Sequence, residues 1–388
     1  MSGTSSRAPV PTPKQRPARP ASGVLVARGL RALTRGSWTV TRISDWAGRW
    51  MPLTRISPDG KRICVFTGEW DAYRIRIHVG ETWGHHRTLA ARPCRVRFDG
   101  KPVTPVPPVS GAWCPQGRYV VLGSHRHEGV VRIFDAWAAA EWGDVGGHRD
   151  DVAGLAWSPG GEWIASASAC YDRRVQLFRC AYVERLVTRE LESVRPVAER
   201  RTLAGYGPRR QDRARLVWSG FYGFEHVCFS PDGSRLAVLA TVDEDVSVLS
   251  VLTVPELHEV ARAPLGASYG SLVWVEAERV FAIGYDAPLV AIDPATGAVL
   301  ERHAGRTGTG LAVTPGADRV AFAHGGDRIG VDLVSASGVT ILGPTAAAVD
   351  TIDLGPDPVL DLRWIPARGT FIAVTEGGTV AEWWPPRG

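Results

Sequence analysis

Between Gly147 and Phe178 the chain holds a unit built around a proline turn, and six diverged copies of it occur elsewhere in the 388 residues. The turn carries Pro58, Pro115, Pro159, Pro231, Pro315 and Pro366, with Glu276 in the matching place of one degenerate copy. Two residues earlier stands a large apolar residue each time: Ile56, Trp113, Trp157, Phe229, Trp274, Val313 and Trp364. A second turn follows ten to thirteen residues after the first, at Asp71, Glu128, Asp172, Asp243, Asp286, Asp327 and Gly377. Six residues beyond it the chain is apolar again, at Ile77, Phe134, Phe178, Leu249, Ile292, Leu333 and Trp383. The mean spacing is roughly 51 residues, a period of solenoids, arrays and propellers, whose units bury their faces only against one another.

Each unit reads as strand, turn, strand, turn, strand. Ser-Pro-Asp-Gly at 57–60 and 230–233 suits a tight reversal: proline presets φ, aspartate bonds its own backbone and glycine accepts positive φ. Alternation such as Val130-Val131-Arg132-Ile133-Phe134 is the two-residue period of a strand. No long amphipathic helix is evident inside the repeats.

These features resemble the WD40 family of β-propellers over about residues 37–384, most clearly at 147–178. There Gly147-His148 precedes Pro159 as the family's Gly-His dipeptide precedes its turn. The resemblance implies a buried hydrogen-bond network of His148, Ser166 or Ser168, and Asp172. Its fourth member is absent, because Phe178 replaces the family's tryptophan and has no N–H to donate. A blade needs four strands, and the last copy supplies three, near 360–365, 370–375 and 379–384. The run Ser37-Trp38-Thr39-Val40-Thr41-Arg42-Ile43 stands alone before the first copy. We therefore expect an all-β, seven-bladed β-propeller of four-stranded blades, with this N-terminal strand closing the last blade and covering its open edge.

The net charge of +5 resides in one segment. Residues 1–50 hold nine Lys or Arg and one acid, whereas residues 51–388 carry 36 basic and 39 acidic side chains. Residues 1–22 read as a disordered basic Pro/Ser-rich tail and 23–36 as a linker, with 37–388 the propeller. The basic tail leaves nucleic acid open as a partner without making the propeller a nucleic-acid binder. No apolar run reaches the ~20 residues of a membrane span. Val24-Leu25-Val26, cut short by Arg28, is no secretory signal. Six dispersed cysteines, 64, 94, 114, 170, 180 and 228, form no Cys-x-x-Cys pair and read as buried free thiols of a reducing cytoplasm.

Insertions near 79–108 and 191–225 break the period. The second joins Arg209, Arg210, Arg213 and Arg215 to Trp218 and Tyr222, a composition typical of protein-interface hot spots. With Trp70, Arg126, Tyr171 and Tyr285, in the connections between second and third strands, these are the candidate partner-binding residues. Enzyme signatures are weak. Gly266-Ala267-Ser268-Tyr269-Gly270 matches a nucleophile elbow but lies between all-β units. Gly305 to Gly310 looks like a phosphate cradle but has neither the terminal Lys nor a following helix. His85, His86, His125 and His127 stand near no carboxylate or thiol at a zinc spacing. The sequence thus points to a non-enzymatic scaffold, with no cofactor, that binds a protein or peptide. Two alternatives remain open: a propeller enzyme with a metal in its channel, and a nucleic-acid-associated adaptor.

Overall fold

The Ser-Pro-Asp-Gly segments form the tight reversals their chemistry dictates. In a computed structural model of the protein, the Gly60 amide donates to the Ser57 carbonyl at 2.9 Å, and Gly233 to Ser230 at the same distance. The model describes residues 37–43, 53–67, 74–80, 83–89, 97–98, 101–102, 108–124, 129–146, 148, 150–168, 174–179, 200–204, 226–243, 246–267, 269–276, 278–284, 287–304, 308–325, 328–329, 332–333, 337–345 and 347–385. Gly60 has a φ of +64°, and a Cβ there would stand 3.0 Å from Ile365 of another blade. Glycine is thus required both by conformation and by space.

These turns join strands into seven antiparallel four-stranded sheets. Blade 1 is Thr54–Ile56, Arg62–Thr67, Arg74–Val79 and Gly84–Leu89. Blade 2 is Pro108–Trp113, Tyr119–Ser124, Val130–Asp135 and Ala140–Gly146. Blade 3 is Val152–Trp157, Trp163–Ser168, Arg174–Arg179 and Arg200–Ala204. Blade 4 is His226–Phe229, Arg235–Asp243, Val246–Thr253 and Glu259–Pro264. Blade 5 is Ser271–Val275, Arg279–Ile283, Leu289–Ile292 and Val299–His303. Blade 6 is Gly310–Val313, Val320–His324, Ser337–Leu342 and Ala348–Gly355. Blade 7 is Val359–Ile365, Thr370–Thr375 and Thr379–Trp384, completed by Ser37–Arg42.

The closing strand pairs antiparallel with Thr379–Trp384, Ser37 opposite Trp384 and Arg42 opposite Thr379. Ile43 continues the zip by donating its amide to the Gly378 carbonyl at 2.9 Å. The first strands of consecutive blades are neighbours around the whole circle, including those of blades 7 and 1.

The core is seven seams, one between each pair of consecutive blades. Ile75, Ile77 and Leu89 of blade 1 meet Trp113, Val120 and Phe134 of blade 2. Val359, Phe371 and Trp383 of blade 7 meet Ala321, Val339 and Ile341 of blade 6. Ile43 is packed with Ile56, Ile63 and Trp83 in the seam that joins blade 7 to blade 1. A sheet covered on both faces needs apolar residues on both, and Tyr119–Ser124 and Thr370–Thr375 are accordingly buried at every position. The spacing is tight. A Cβ on Gly123 of blade 2 would press into the Val152 backbone of blade 3.

The structure corrects three details of the sequence reading. In the sixth copy Leu333 belongs to a short hairpin, Arg328–Ile329 with Asp332–Leu333, and the third strand is Ser337–Leu342. Gly84–Leu89, assigned to an insertion, is the outer strand of blade 1. Arg200–Ala204, likewise assigned, is the outer strand of blade 3.

Candidate binding surfaces

Antiparallel order fixes which connections share a face. The turns after first and third strands open on one face of the ring. Those after second and outer strands open on the other. Trp70, Arg126, Tyr171 and Tyr285 belong by sequence to connections after second strands. Arg209, Arg210, Arg213, Arg215, Trp218 and Tyr222 belong to the connection between blades 3 and 4. All ten, with Asp172, lie outside the described residues.

Of the expected network, His148 and Ser166 do meet. His148 Nε2 is 2.7 Å from Ser166 Oγ, both buried. Gln176 Nε2 stands 3.4 Å from His148 Nδ1, a neighbour the sequence reading missed. Ser168 is fully buried. Phe178 fills its seam with no polar contact to give. The indole that blade 3 lacks is present in blade 7, where Trp383 Nε1 donates to Asp350 Oδ2 of blade 6 at 2.6 Å.

On the proline-turn face, between blades 1 and 2, a cleft is lined by Arg62, Val79, His86, Arg87, Ala136 and Trp137. Trp137, in the turn after a third strand, is 57% exposed. Its pose is held from two sides. The Arg62 guanidinium lies 4.9 Å above its ring, and Arg87 donates to its carbonyl. Its amide donates to Asp135 Oδ1 at 2.8 Å. An indole fixed this way pays little ordering entropy on contact with a partner.

The innermost strands line the central channel. One residue before the apolar column, five blades carry Ala112, Ala156, Cys228, Val273 and Ala312, while blades 7 and 1 carry Arg363 and Arg55. Arg55 Nε donates to the Gly111 carbonyl of blade 2 at 2.7 Å, and Nη1 to the Thr54 carbonyl at 2.7 Å. Arg363 Nε sits 3.3 Å from Asp361 Oδ2, and that carboxylate also accepts the Ile56 amide at 2.7 Å. Across the ring, blade 4 presents His226 and Cys228, both half-buried.

Burial first, and the Arg55 charge second, push the His226 pKa down to about 4. Unfolded imidazole titrates near ~6.5. Below that value the unfolded chain takes up a proton that the folded chain refuses. Stability therefore falls as pH drops from about 6.5 toward 4, by on the order of 2 to 3 kcal/mol from this group. Urea melts at pH 7 and pH 4.5 should show the loss, and His226→Gln should remove most of that difference. An unchanged pH dependence in the variant would count against this assignment.

The segments with weak enzyme signatures are described only in part. The Gly266 to Gly270 run links the outer strand of blade 4 to the first strand of blade 5, with the Tyr269 amide on Ser247 Oγ at 2.9 Å. Gly308 donates its amide to the Gly284 carbonyl at 2.9 Å, so this end of the glycine run is used in blade-to-blade packing. His85 and His86 are exposed on the outer strand of blade 1. His125 and His127 lie outside the described residues. Among the described residues no group of three His, Cys, Asp or Glu side chains is placed to hold a metal. Cys64, Cys114 and Cys228 are free thiols. Burial holds all three pKa values above the ordinary range, that of Cys64 at about 12. No described helix is long and apolar enough to cross a membrane.

Seven sheets in a closed ring, with a His-Ser pair buried in the third, define a seven-bladed β-propeller of the repeat type anticipated above. The model of the WD40 repeat (WD domain, G-beta repeat) matches residues 143–179. The chain is a seven-bladed β-propeller that carries a WD40 repeat at residues 143–179. Coronin-7 of Bos taurus is 35% identical over 98 residues, which is 25% of this chain and 9% of that protein. Coronin-7 of Homo sapiens is 34% identical over the same length and share. The chain thus matches only about a tenth of the length of these curated relatives. The β-propeller domain of Cps50 (Swd1) from Myceliophteria thermophila superposes with a TM-score of 0.60, covering 89% of this chain and 99% of that one. At 14% identity this likeness is one of fold.

Proposed function

We propose that the ring is a non-enzymatic scaffold of a reducing, cytoplasmic compartment that displays fixed side chains to a protein or peptide partner. The observation that carries this reading is Trp137, more than half exposed yet held by Arg62 and Arg87. Tryptophan and arginine together make up much of the binding energy of protein interfaces. The Arg62 and Arg87 guanidinium groups beside the cleft favour an acidic segment of the partner. The loops with Trp70, Arg126, Tyr171 and Tyr285, and the 205–225 connection between blades 3 and 4, would form a second contact surface on the opposite face.

The test is affinity capture from the native cells, with bound polypeptides quantified by mass spectrometry. Wild type, Trp137→Ala and a chain with 206–224 replaced by a short Gly/Ser linker, which spares the outer strand Arg200–Ala204, are run in parallel. We expect one polypeptide to survive moderate salt and to drop about tenfold or more with Trp137→Ala. Retention of that polypeptide by both variants would reject both surfaces. Steep loss of all binding with added salt would instead favour a nucleic-acid adaptor.

A further inference from the structure

We infer that the central channel, at the sector where blades 7 and 1 meet, is a binding site for a small oxyanion held by Arg55 and Arg363. The inference is independent of the protein-partner surfaces proposed above and rests on the inner strands alone.

The first argument is placement. At one and the same position of the repeat, five blades carry alanine, valine or cysteine and two adjacent blades carry arginine. The small residues pack into the seams between blades, whereas Arg55 and Arg363 stay part-exposed and stand close enough for their charges to interact. Burial lowers the Arg55 pKa, the Asp361 charge opposes that, and repulsion from the neighbouring Arg363 charge adds to it. A framework gains nothing from that repulsion.

The second argument is the account of donors. Arg55 uses Nε and Nη1 on two backbone carbonyls, and its Nη2 has no acceptor among the described residues. Arg363 meets Asp361 through Nε only, so both Nη nitrogens at the tip of its fork are unused among the described residues. Asp361 is the one described carboxylate in contact with either arginine, and it is shared with the Ile56 amide. Two guanidinium charges and one carboxylate leave one positive charge uncompensated. Guanidinium forks match the geometry of phosphate and carboxylate oxygens. With Arg363 one-third exposed, the unused donors remain open to solutes entering from the channel. His226 stands across the ring with no partner among the described residues, close enough to feel the Arg55 charge. The site is therefore a cationic wall facing a neutral imidazole.

Calorimetric titration of the full chain at pH 7.5 tests this, with sodium phosphate and sodium acetate as probes at constant ionic strength. We expect one phosphate per chain with a dissociation constant near ~1 mM. Arg363→Gln should weaken it about tenfold or more, while Arg279→Gln, on the rim of blade 5, should leave it unchanged. Binding of phosphate alone identifies a phosphate source. Binding of acetate as well admits a carboxylate. Should Arg363→Gln fail to fold, the unaltered protein still decides. The ring resonances of His226 should then move on phosphate addition and saturate at the calorimetric concentration. Absence of binding up to about 20 mM of either probe, or equal binding by a folded Arg363→Gln, overturns the assignment. So does binding that leaves the His226 resonances in place.

Discussion

A chain that begins at residue 44 should melt about 5 °C below one that begins at Ser37. The difference isolates Ser37 to Ile43. Their removal strips a full ladder of backbone pairing from Thr379–Trp384 and exposes that strand as an open edge. It also removes Trp38 and Val40 from the seam between blades 6 and 7, and Ile43 from the seam between 7 and 1. Burial of three such side chains, two of them partial, is worth about 4 kcal/mol. For a protein of this size, each kcal/mol moves the midpoint by roughly 1 to 2 °C. Differential scanning calorimetry of the two chains gives the answer. Midpoints within about 2 °C of each other would mean that the ring is held shut by its seams and not by the strand.

The second large effect is expected at Trp383. It is among the largest fully buried side chains, packed against Phe371 at 5.9 Å between ring centres. Its indole N–H donates to Asp350 Oδ2 across the seam. Asp350 is itself buried, and its other oxygen accepts the Thr351 amide at 2.9 Å. Trp383→Ala should destabilise by about 4 to 5 kcal/mol through the cavity and the lost bond together. Trp383→Phe keeps most of the volume but leaves a buried carboxylate oxygen without its donor, at about 2 kcal/mol. Urea denaturation of both variants separates packing from hydrogen bonding. Equal losses for Phe and Ala would show that the Asp350 contact contributes the whole effect.

The framework of this fold could be read from the chain because it is built from local rules repeated seven times. A proline turn with glycine at positive φ announces itself wherever it occurs, and the lone strand at 37–43 was demanded by a missing fourth strand. Strands exposed to water were harder. Gly84–Leu89 reads Gly-His-His-Arg-Thr-Leu, and four of its six residues are exposed. An outermost strand carries little apolar alternation, so nothing marks it as a strand. In the sixth copy the spacing from Asp327 to Leu333 matched the pattern by accident, because the inserted hairpin displaced the true third strand. Gln176 was passed over for the opposite reason. A polar residue within a strand normally faces water, yet a blade has neighbours on both sides, and this one is completely buried beside His148.

The candidate sites divide along the same line. Trp137 stands in a turn, and a tryptophan met in sequence reads as core. Only the cation stacked on its ring, and the open water beyond, mark it as an anchor. Arg55 and Arg363 were within reach of the sequence. Both precede the apolar column of their copies by one residue, and comparison down that column would have set two arginines against five small residues. The ten nominated loop residues have still to be tested by mutation.

Closing the circle with two strands so far apart in sequence also sets an order of events during synthesis. Ser37–Arg42 leaves the ribosome roughly 340 residues before its partner Thr379–Trp384. At about 5 to 20 residues per second, the early strand waits roughly 20 to 70 s for its mate. During that interval six blades can stack in sequence as an unfinished arc, with a bare sheet flank at each end. Every nascent molecule thus presents a surface that fits any other nascent molecule, and dense polysomes invite the exchange of closing strands between neighbours.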